Sequence, residues 1–370
     1  MKKAFALLLA SLTLLLCGCS GGSIYSNYRE TEQLTVIQTL GIDITAEGIR
    51  VSVATGTGIT EKPVRMSAVA ESIELALQRI TEYSVSEEMF FAHTAYVLVG
   101  EETARQDIRA VLDYIERSHD MRLGMPVFTV KGGSASGLVL GAGDEEGDKA
   151  ADYDITEVLR SVERSIDDSG NGIVFSAAQI IAALDERNSA LVCAVESRKA
   201  EEALDGAGNA LTAIPAGFAV IKGGKMVGEI SADDAPAVSV IMGKAGPTRI
   251  ALDAGVPVTV QLGKSSSDVT PVFKNGSLSE IWVGVSLSAD VTEAEGKPSG
   301  SDLSTALKAE FEDSFSRVLG ISAKLGADFL GLGGMLERKA PVLLRGACTT
   351  FGSAVGNTPA VINVSAEVKA

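Results

Sequence analysis

The stretch LTVIQTLGIDI, residues 34–44, is the first part of the chain whose composition indicates a folded element. It is rich in β-branched and large apolar residues, which is typical of a strand. Ile49, Val51 and Val53 then alternate with more polar neighbours, as in a second strand. Apolar residues recur at helical spacing in 68–83, with charged residues between them. The sequence therefore predicts two strands followed by a helix.

Strands and helices stay mixed along the rest of the chain. Further strands are predicted at 92–99, 127–130, 217–221, 226–230, 258–262, 281–289 and 360–368, and further helices at 103–118, 155–166, 177–184 and 302–319. Gly223-Gly224 predicts a hairpin turn, and Ser301 or Asp302 is expected to cap the helix at 302–319. Because strict βαβ alternation is not evident, we expect an α+β class: a multi-lobed fold of mixed antiparallel sheets with packed amphipathic helices.

The length of 370 residues predicts more than one domain. Composition shifts at a glycine-rich acidic stretch, 132–150, and again at 201–209. We predict a signal peptide at 1–18, an N-terminal domain at 19–205 and a C-terminal domain at 206–370. The stretch 132–150 is a candidate boundary between two subdomains of the N-terminal domain.

The amino terminus has the layout of a lipoprotein signal. Two lysines are followed by an uncharged apolar run, 4–16, which is too short to span a bilayer. Leu16-Cys17-Gly18-Cys19 resembles a lipobox, and only Cys19 has a small residue directly before it. We therefore expect cleavage after Gly18 and lipidation of Cys19. An ordinary secretory signal with incidental cysteines is the alternative.

Charge limits the classes of partner. The formal net charge is −16, with 46% hydrophobic and 22% charged residues. Such an acidic chain is a poor match for nucleic acid or for electrostatic adhesion to anionic lipid. No apolar run after residue 16 reaches spanning length; 89–100 comes nearest and is interpreted as a buried strand. The expected membrane contact is therefore the lipid on Cys19.

Neither histidine lies in a recognisable catalytic or metal-binding pattern. His93 falls in an apolar run and His119 follows a predicted helix end. The acidic run at 144–148, with Asp152 and Asp154, lacks the residue order of a calcium-binding loop and is interpreted as solvated. We expect no catalytic residue, cofactor or metal ligand.

Glycines and cysteines also favour structural interpretations. The run 331–334, Gly-Leu-Gly-Gly, lacks the Gly-Lys-Ser/Thr ending of a phosphate-binding loop and is interpreted as tight turns. Cys193 lies in an apolar stretch, where a buried free thiol is expected. Whether Cys193 pairs with Cys348 is left open.

Several ordered segments carry a resemblance to a known family. They are Arg29-Glu30 with 34–43; 112–117 with Arg122 and 127–132; 217–222 with 225–228; and 326–333 with Arg338, Lys339 and Pro341. In this order, behind a lipobox, they resemble segments of the GerAC-type (Ger(x)C) spore germination lipoproteins. The chain departs from the family in having Ser20 after the lipidated cysteine and in having Trp282 as its only tryptophan.

The resemblance implies the C subunit of a nutrient germinant receptor on the outer face of the spore inner membrane. It would be anchored by lipid and would work beside two membrane-embedded partners, the A and B subunits. The family has no known catalytic activity, and the resemblance does not identify the germinant or say whether this subunit binds it. The main alternative is a solute-binding lipoprotein that delivers a small molecule to a transporter, which would need two βαβ lobes around a cleft. A cell-wall enzyme is a third hypothesis.

Overall fold

The computed structural model describes residues 34–56, 63–84, 88–141, 153–199, 211–275, 277–339 and 358–369. The strands in these ranges are β1 (Leu34–Thr45), β2 (Gly48–Thr55), β3 (Arg65–Ala70), β4 (Glu88–Phe90), β5 (Tyr96–Gly100), β6 (Val127–Lys131), β7 (Ser189–Lys199), β8 (Leu211–Lys222), β9 (Lys225–Ile230), β10 (Arg249–Asp253), β11 (Pro257–Lys274), β12 (Ser277–Ala294) and β13 (Ala360–Lys369). The helices are α1 (Ile73–Tyr83), α2 (Glu101–Arg117), α3 (Ala135–Leu140), α4 (Ile155–Ser169), α5 (Ala177–Arg187), α6 (Ala235–Ile241), α7 (Gly300–Leu325) and α8 (Leu332–Lys339).

The first sheet has nine strands and a parallel centre. Its order is β3-β2-β1-β5-β6-β7-β8-β9, with β4 pairing beside β1. β1, β5, β6 and β7 are parallel neighbours, whereas β3 and β2 on one flank and β8 and β9 on the other are antiparallel. The α2 helix connects β5 to β6, as parallel neighbours require a crossover.

Helices cover both faces of this sheet. Val97 and Leu98 are neighbours on β5 and both are fully buried, which is typical of a parallel strand covered on its two faces. Val97 belongs to an apolar cluster with residues of α1, α2 and α5, whereas Leu98 belongs to a second cluster with residues of α3 and α4. The sheet is therefore the middle layer between two layers of helices.

The second sheet has four strands in the order β10-β11-β12-β13. Its first three strands are antiparallel, and β13 joins β12 in parallel. The inner face packs on α7: Leu307 and Phe311 of α7 and Val283 of β12 are buried in the same apolar cluster. The outer face carries Trp282, which is 53% exposed and whose Nε1 donates to Glu280 at 3.0 Å.

The α2 helix is interrupted where the β8–β9 turn meets it. Asp107 has extended backbone angles, φ −167° and ψ 86°, inside the helix. The Ile108 N–H donates to the Gly224 carbonyl at 2.9 Å, and the Asp107 carboxylate accepts from the Ala110 N–H at 3.2 Å. Asp107 thus caps the second part of α2, and the hairpin turn occupies the break.

The α+β class predicted from the sequence is confirmed, with several differences in its elements. The α1 helix begins at Ile73, not residue 68, because 65–70 form β3 and Ser72 accepts from the Leu75 N–H to start the helix. The predicted strand 92–99 begins only at Tyr96, so the interpretation of 89–100 as one strand is wrong. The intervening turn is closed by the bond from the Thr94 N–H to the Phe91 carbonyl at 2.9 Å.

Other differences concern missed elements and caps. The α7 helix is capped by Ser299, not Ser301 or Asp302. The sequence prediction missed α3, β7, α6, β10 and α8. β7 pairs with β8 across residue 206, so the first sheet continues beyond that point. The division into domains at 205 and 206 stays a prediction.

Candidate functional site

Asp43, at the end of the Gly41-Ile42-Asp43 segment, holds α3 on the first sheet. Its two carboxylate oxygens accept from the Ala135 N–H at 2.8 Å and the Ser136 N–H at 2.7 Å, and the side chain is 5% exposed. A Cβ on Gly41 would lie 2.8 Å from a methyl of Val139. Glycine therefore lets α3 approach β1, and Asp43 satisfies the amino end of that helix.

Asp328 has the same role for α8. Its carboxylate accepts from the Leu332 and Gly333 N–H groups, each at 2.8 Å, and the side chain is 1% exposed. Burial raises the pKa of Asp328 by more than these backbone hydrogen bonds lower it. Gly331 between them has φ +74°, and its N–H donates to the Asp328 carbonyl at 3.2 Å. A tight turn ends at Gly331, but residues 332–334 begin α8, so the interpretation of the whole run 331–334 as tight turns is wrong.

The β8–β9 hairpin is attached to the carboxyl end of α7. The Lys222 ammonium donates to the Leu325 carbonyl at 2.8 Å, a favourable place for a cation at a helix end. A Cβ on Gly228 would lie 2.8 Å from a methyl of Leu325. Gly217 has φ +88°, and a Cβ there would lie 2.0 Å from the Ile230 carbonyl oxygen. The two glycines allow the close contacts, and Lys222 ties the first sheet to the helix of the second.

A second tie between the two sheets is formed at Asp234, which follows β9. One carboxylate oxygen accepts from Ser314 at 2.7 Å and from the Arg317 guanidinium at 2.8 and 3.0 Å, both on α7. The other accepts from Ser231 at 2.9 Å. Burial acts to raise the pKa of Asp234, but these hydrogen bonds outweigh it and lower the pKa.

Polar side chains at the carboxyl ends of β1 and β5 contact backbone groups of α3 and of the loop after β6. β1, β5, β6 and β7 follow one another in chain order, so the sheet centre lacks the reversal at which open α/β sheets bind ligands. Asp43 occupies the end of β1, and Glu101 at the end of β5 accepts from the Gly132 N–H at 2.5 Å. Both carboxylates therefore hold neighbouring backbone segments in place.

The residues considered from the sequence are dispersed. His93 lies exposed in the turn before β5, with its ring 5.4 Å from that of Phe90, so its predicted place in a strand is wrong. His119 is exposed in the turn after α2. Asp154 caps α4 by accepting from the Thr156 and Glu157 N–H groups, and the rest of the acidic run lies outside the described residues.

Of the cysteines in the chain, only Cys193 lies in the described ranges. Cys193 is a free thiol on β7, 2% exposed, and burial raises its pKa to about 12. Cys19 and Cys348 lie outside the described residues. Within the described ranges, no group of three or more His, Cys, Asp or Glu side chains is placed to hold a metal ion. In the same ranges, no helix is long and apolar enough to cross a membrane.

Sequence reasoning missed the Asp234 cluster. Ser231-Ala-Asp-Asp234 has the Ser-x-x-acid spacing of a helix start, which is a usable local signal. The spacing does not reveal Ser314 and Arg317, because those partners lie 80 and 83 residues further along the chain.

Comparison with known proteins places this arrangement in a class. A family model described as the spore germination protein N-terminal domain matches residues 27–165. A second, described as spore germination B3/GerAC like, C-terminal, matches residues 216–369. Spore germination protein B3 of Bacillus subtilis (strain 168) is 24% identical over 281 residues, which are 72% of this chain and 68% of that protein. The fold and its matched segments are therefore those of a spore germination protein.

A solved structure agrees with this class at the level of the fold. The crystal structure of the GerBC protein superposes with a TM-score of 0.55 at 16% identity, covering 90% of this chain and 97% of that one. The chain belongs to the GerAC-type family, the C subunits of germinant receptors.

Proposed function

We propose that this chain is a lipid-anchored, non-catalytic subunit of a nutrient germinant receptor on the outer face of the spore inner membrane. Diacylglycerol on Cys19 holds it there, and it works beside the membrane-embedded A and B subunits. Membership of the GerAC-type family supports the receptor assignment. The lipobox-like Leu16-Cys17-Gly18-Cys19 supports the anchor.

The non-catalytic role is supported by the structural contacts that polar residues make in the segments resembling the family. Asp43 and Asp328 cap helices, and Lys222 joins the first sheet to α7. Side chains that hydrogen-bond to backbone groups in this way have a structural role. The protein acts by contact with partners, and a membrane anchor raises its effective concentration beside them.

The acidic surface fits this mode of action. With a net charge of −16, the chain is repelled by anionic lipid headgroups, so the lipid anchor supplies membrane attachment. Contacts with partners then depend on specific patches more than on bulk charge attraction.

Deletion of the gene in its native host tests the proposal. Spores of the deletion strain are expected to lose the nutrient-triggered fall in optical density for a subset of nutrients, while vegetative growth is unchanged. Complementation with the wild-type gene is the control, and immunoblots of the A and B subunits report whether the complex persists. Normal responses to every nutrient, in a strain with no second copy of the receptor, would favour the solute-binding alternative.

A further inference from the structure

A cavity of ≈ 340 Å³ lies at the amino ends of β5 and β6, on the side of the first sheet covered by α4. Its lining includes Tyr96 at the start of β5, Pro126 before β6, and Arg160 and Glu163 of α4. Arg122, from one of the segments singled out in the sequence, completes the polar wall. The volume is in the range of small-molecule sites, about 300–1,000 Å³.

One wall of the cavity is a fixed donor–acceptor pair. The Tyr96 hydroxyl donates to a Glu163 carboxylate oxygen at 2.7 Å, and Tyr96 is 4% exposed. The Tyr96 ring packs beside Phe128, with their centroids 6.1 Å apart. Burial and the Glu163 carboxylate both raise the pKa of Tyr96, so the phenol keeps its proton at neutral pH. Glu163 therefore keeps its orientation whether or not the cavity is occupied.

The two arginines are less fully used. Arg122 is exposed, and its guanidinium makes one long contact among the described residues, 3.5 Å to the Thr94 carbonyl. A guanidinium has five N–H donors, so most of the N–H groups of Arg122 donate to no other described residue. Arg160 contacts Glu157, one turn earlier on α4, while its side chain remains 37% exposed. Arg160 also interacts with the Tyr96 hydroxyl, which acts to lower the pKa of that phenol, so Arg122 has the freer guanidinium of the two.

The charge of the lining is the opposite of that of the protein. Arg122 and Arg160 outnumber Glu163, whereas the whole chain carries −16. Glu157, which contacts Arg160, is not part of the lining. Two guanidinium groups at one concavity can bind a carboxylate or phosphate in paired hydrogen bonds.

We propose that this cavity binds a small organic molecule through a carboxylate or phosphate group, with Arg122 and Arg160 contacting the anion. Glu163, held by Tyr96, faces the rest of the molecule and accepts from a donor on it. The site lies at the amino ends of the strands and is independent of the receptor assignment.

To test this site, anions are titrated into the detergent-solubilised full-length protein. Binding is monitored by NMR of the arginine side-chain N–H groups. The probes are sodium propionate and sodium phosphate at matched ionic strength, with sodium chloride as the reference. Saturable shifts with propionate, phosphate or both are expected, and the preferred probe identifies the anion. Arg122→Gln and Arg160→Gln should each weaken binding at least about tenfold, because each removes a charged hydrogen-bonding group.

Arg164→Gln is the matched control, because Arg164 is exposed on α4 and does not line the cavity. It should bind as the wild type does. If Arg160→Gln disturbs the fold by releasing Glu157, Arg122→Gln decides the matter alone. The proposal is overturned if neither probe binds more tightly than chloride, or if Arg164→Gln weakens binding as much as Arg122→Gln.

Discussion

Asp43 and Asp328 are buried carboxylates that each close the amino end of a short helix. Each accepts two backbone N–H bonds, so each satisfies groups that would otherwise be unpaired inside the protein. Asp43 follows Gly41, where a Cβ would lie 2.8 Å from a methyl of Val139, and Asp328 precedes Gly331, which has φ +74°. At α3 the carboxylate and the glycine therefore act together, and at α8 the glycine supplies a positive φ before the capped helix.

Asp43→Ala should lower the free energy of unfolding by about 1–3 kcal/mol, because it leaves two buried N–H groups without an acceptor. Urea unfolding of the wild type and the variant measures this. Glu47→Ala, an exposed carboxylate in the β1–β2 turn, is the control and should change stability little. Equal effects from the two variants would argue against the capping role of Asp43.

Cys19→Ala should abolish lipid attachment and move the protein out of the membrane fraction, because the predicted diacylglycerol anchor is then absent. Labelled palmitate and mass spectrometry of the mature amino terminus measure this. Cys17→Ala should remain lipidated, since Leu16-Cys17 lacks the small residue that precedes Cys19. A mature protein beginning at any residue other than Cys19 would be incompatible with the prediction.

At the scale of elements, the break in α2 couples a helix to a hairpin distant in sequence. Gly223 and Gly224 both have positive φ, so alanine at either position strains the turn by about 1–2 kcal/mol. A Cβ on Gly224 would also lie 2.8 Å from the Arg109 Cβ, whereas on Gly223 it would meet nothing closer than 3.9 Å. Gly224→Ala should therefore lower the melting temperature more than Gly223→Ala. A smaller loss for Gly224→Ala would mean that the turn does not occupy the break in solution.

Leu307→Asp or Phe311→Asp should unfold the second sheet and α7, because each puts a charge into the apolar cluster that α7 shares with that sheet. The expected loss in the free energy of unfolding is about 4 kcal/mol or more. Urea melts of the full-length protein measure it. Ala309→Asp, on the exposed side of the same helix, should leave the midpoint nearly unchanged. Unchanged midpoints for all three would place the helix face outside the core.

The spacing of apolar residues correctly predicted those elements in which spacing and segment length indicate the same type of secondary structure. The α7 stripe through Leu307 and Phe311 and the hairpin around Gly223-Gly224 are examples. Periodicity failed for β3, where apolar residues at helical spacing pair as a strand with β2. It also missed α3, because the start of that helix depends on Asp43, about ninety residues earlier in the chain. Tyr96 and Glu163 likewise meet only in the folded protein.

At the scale of the whole molecule, Asp234 and Lys222 connect the first sheet to α7. The pKa of Asp234 is lowered from its ordinary value of 3.8, so its carboxylate stabilises the fold above about pH 4. That contribution is lost as the pH falls below 3.8 through the folded-state pKa.

The stability advantage of the wild type over Asp234→Asn should therefore be larger at pH 7 than at pH 3. Urea unfolding at both pH values measures it. Asp233→Asn is the control, because Asp233 is adjacent but exposed. An advantage over Asp234→Asn that is the same at both pH values would show that ionisation of Asp234 does not contribute to the stability of the fold.

The position of Trp282 gives the protein a built-in optical reporter. It is the only tryptophan in the chain, it lies half exposed on β12, and Glu280 holds its indole N–H. Its emission therefore comes from the second sheet alone, whereas far-ultraviolet circular dichroism averages both sheets. Because indole emission shifts to the blue when water is excluded, an unlabelled sample can disclose whether another molecule covers this face, and in what order the two halves melt.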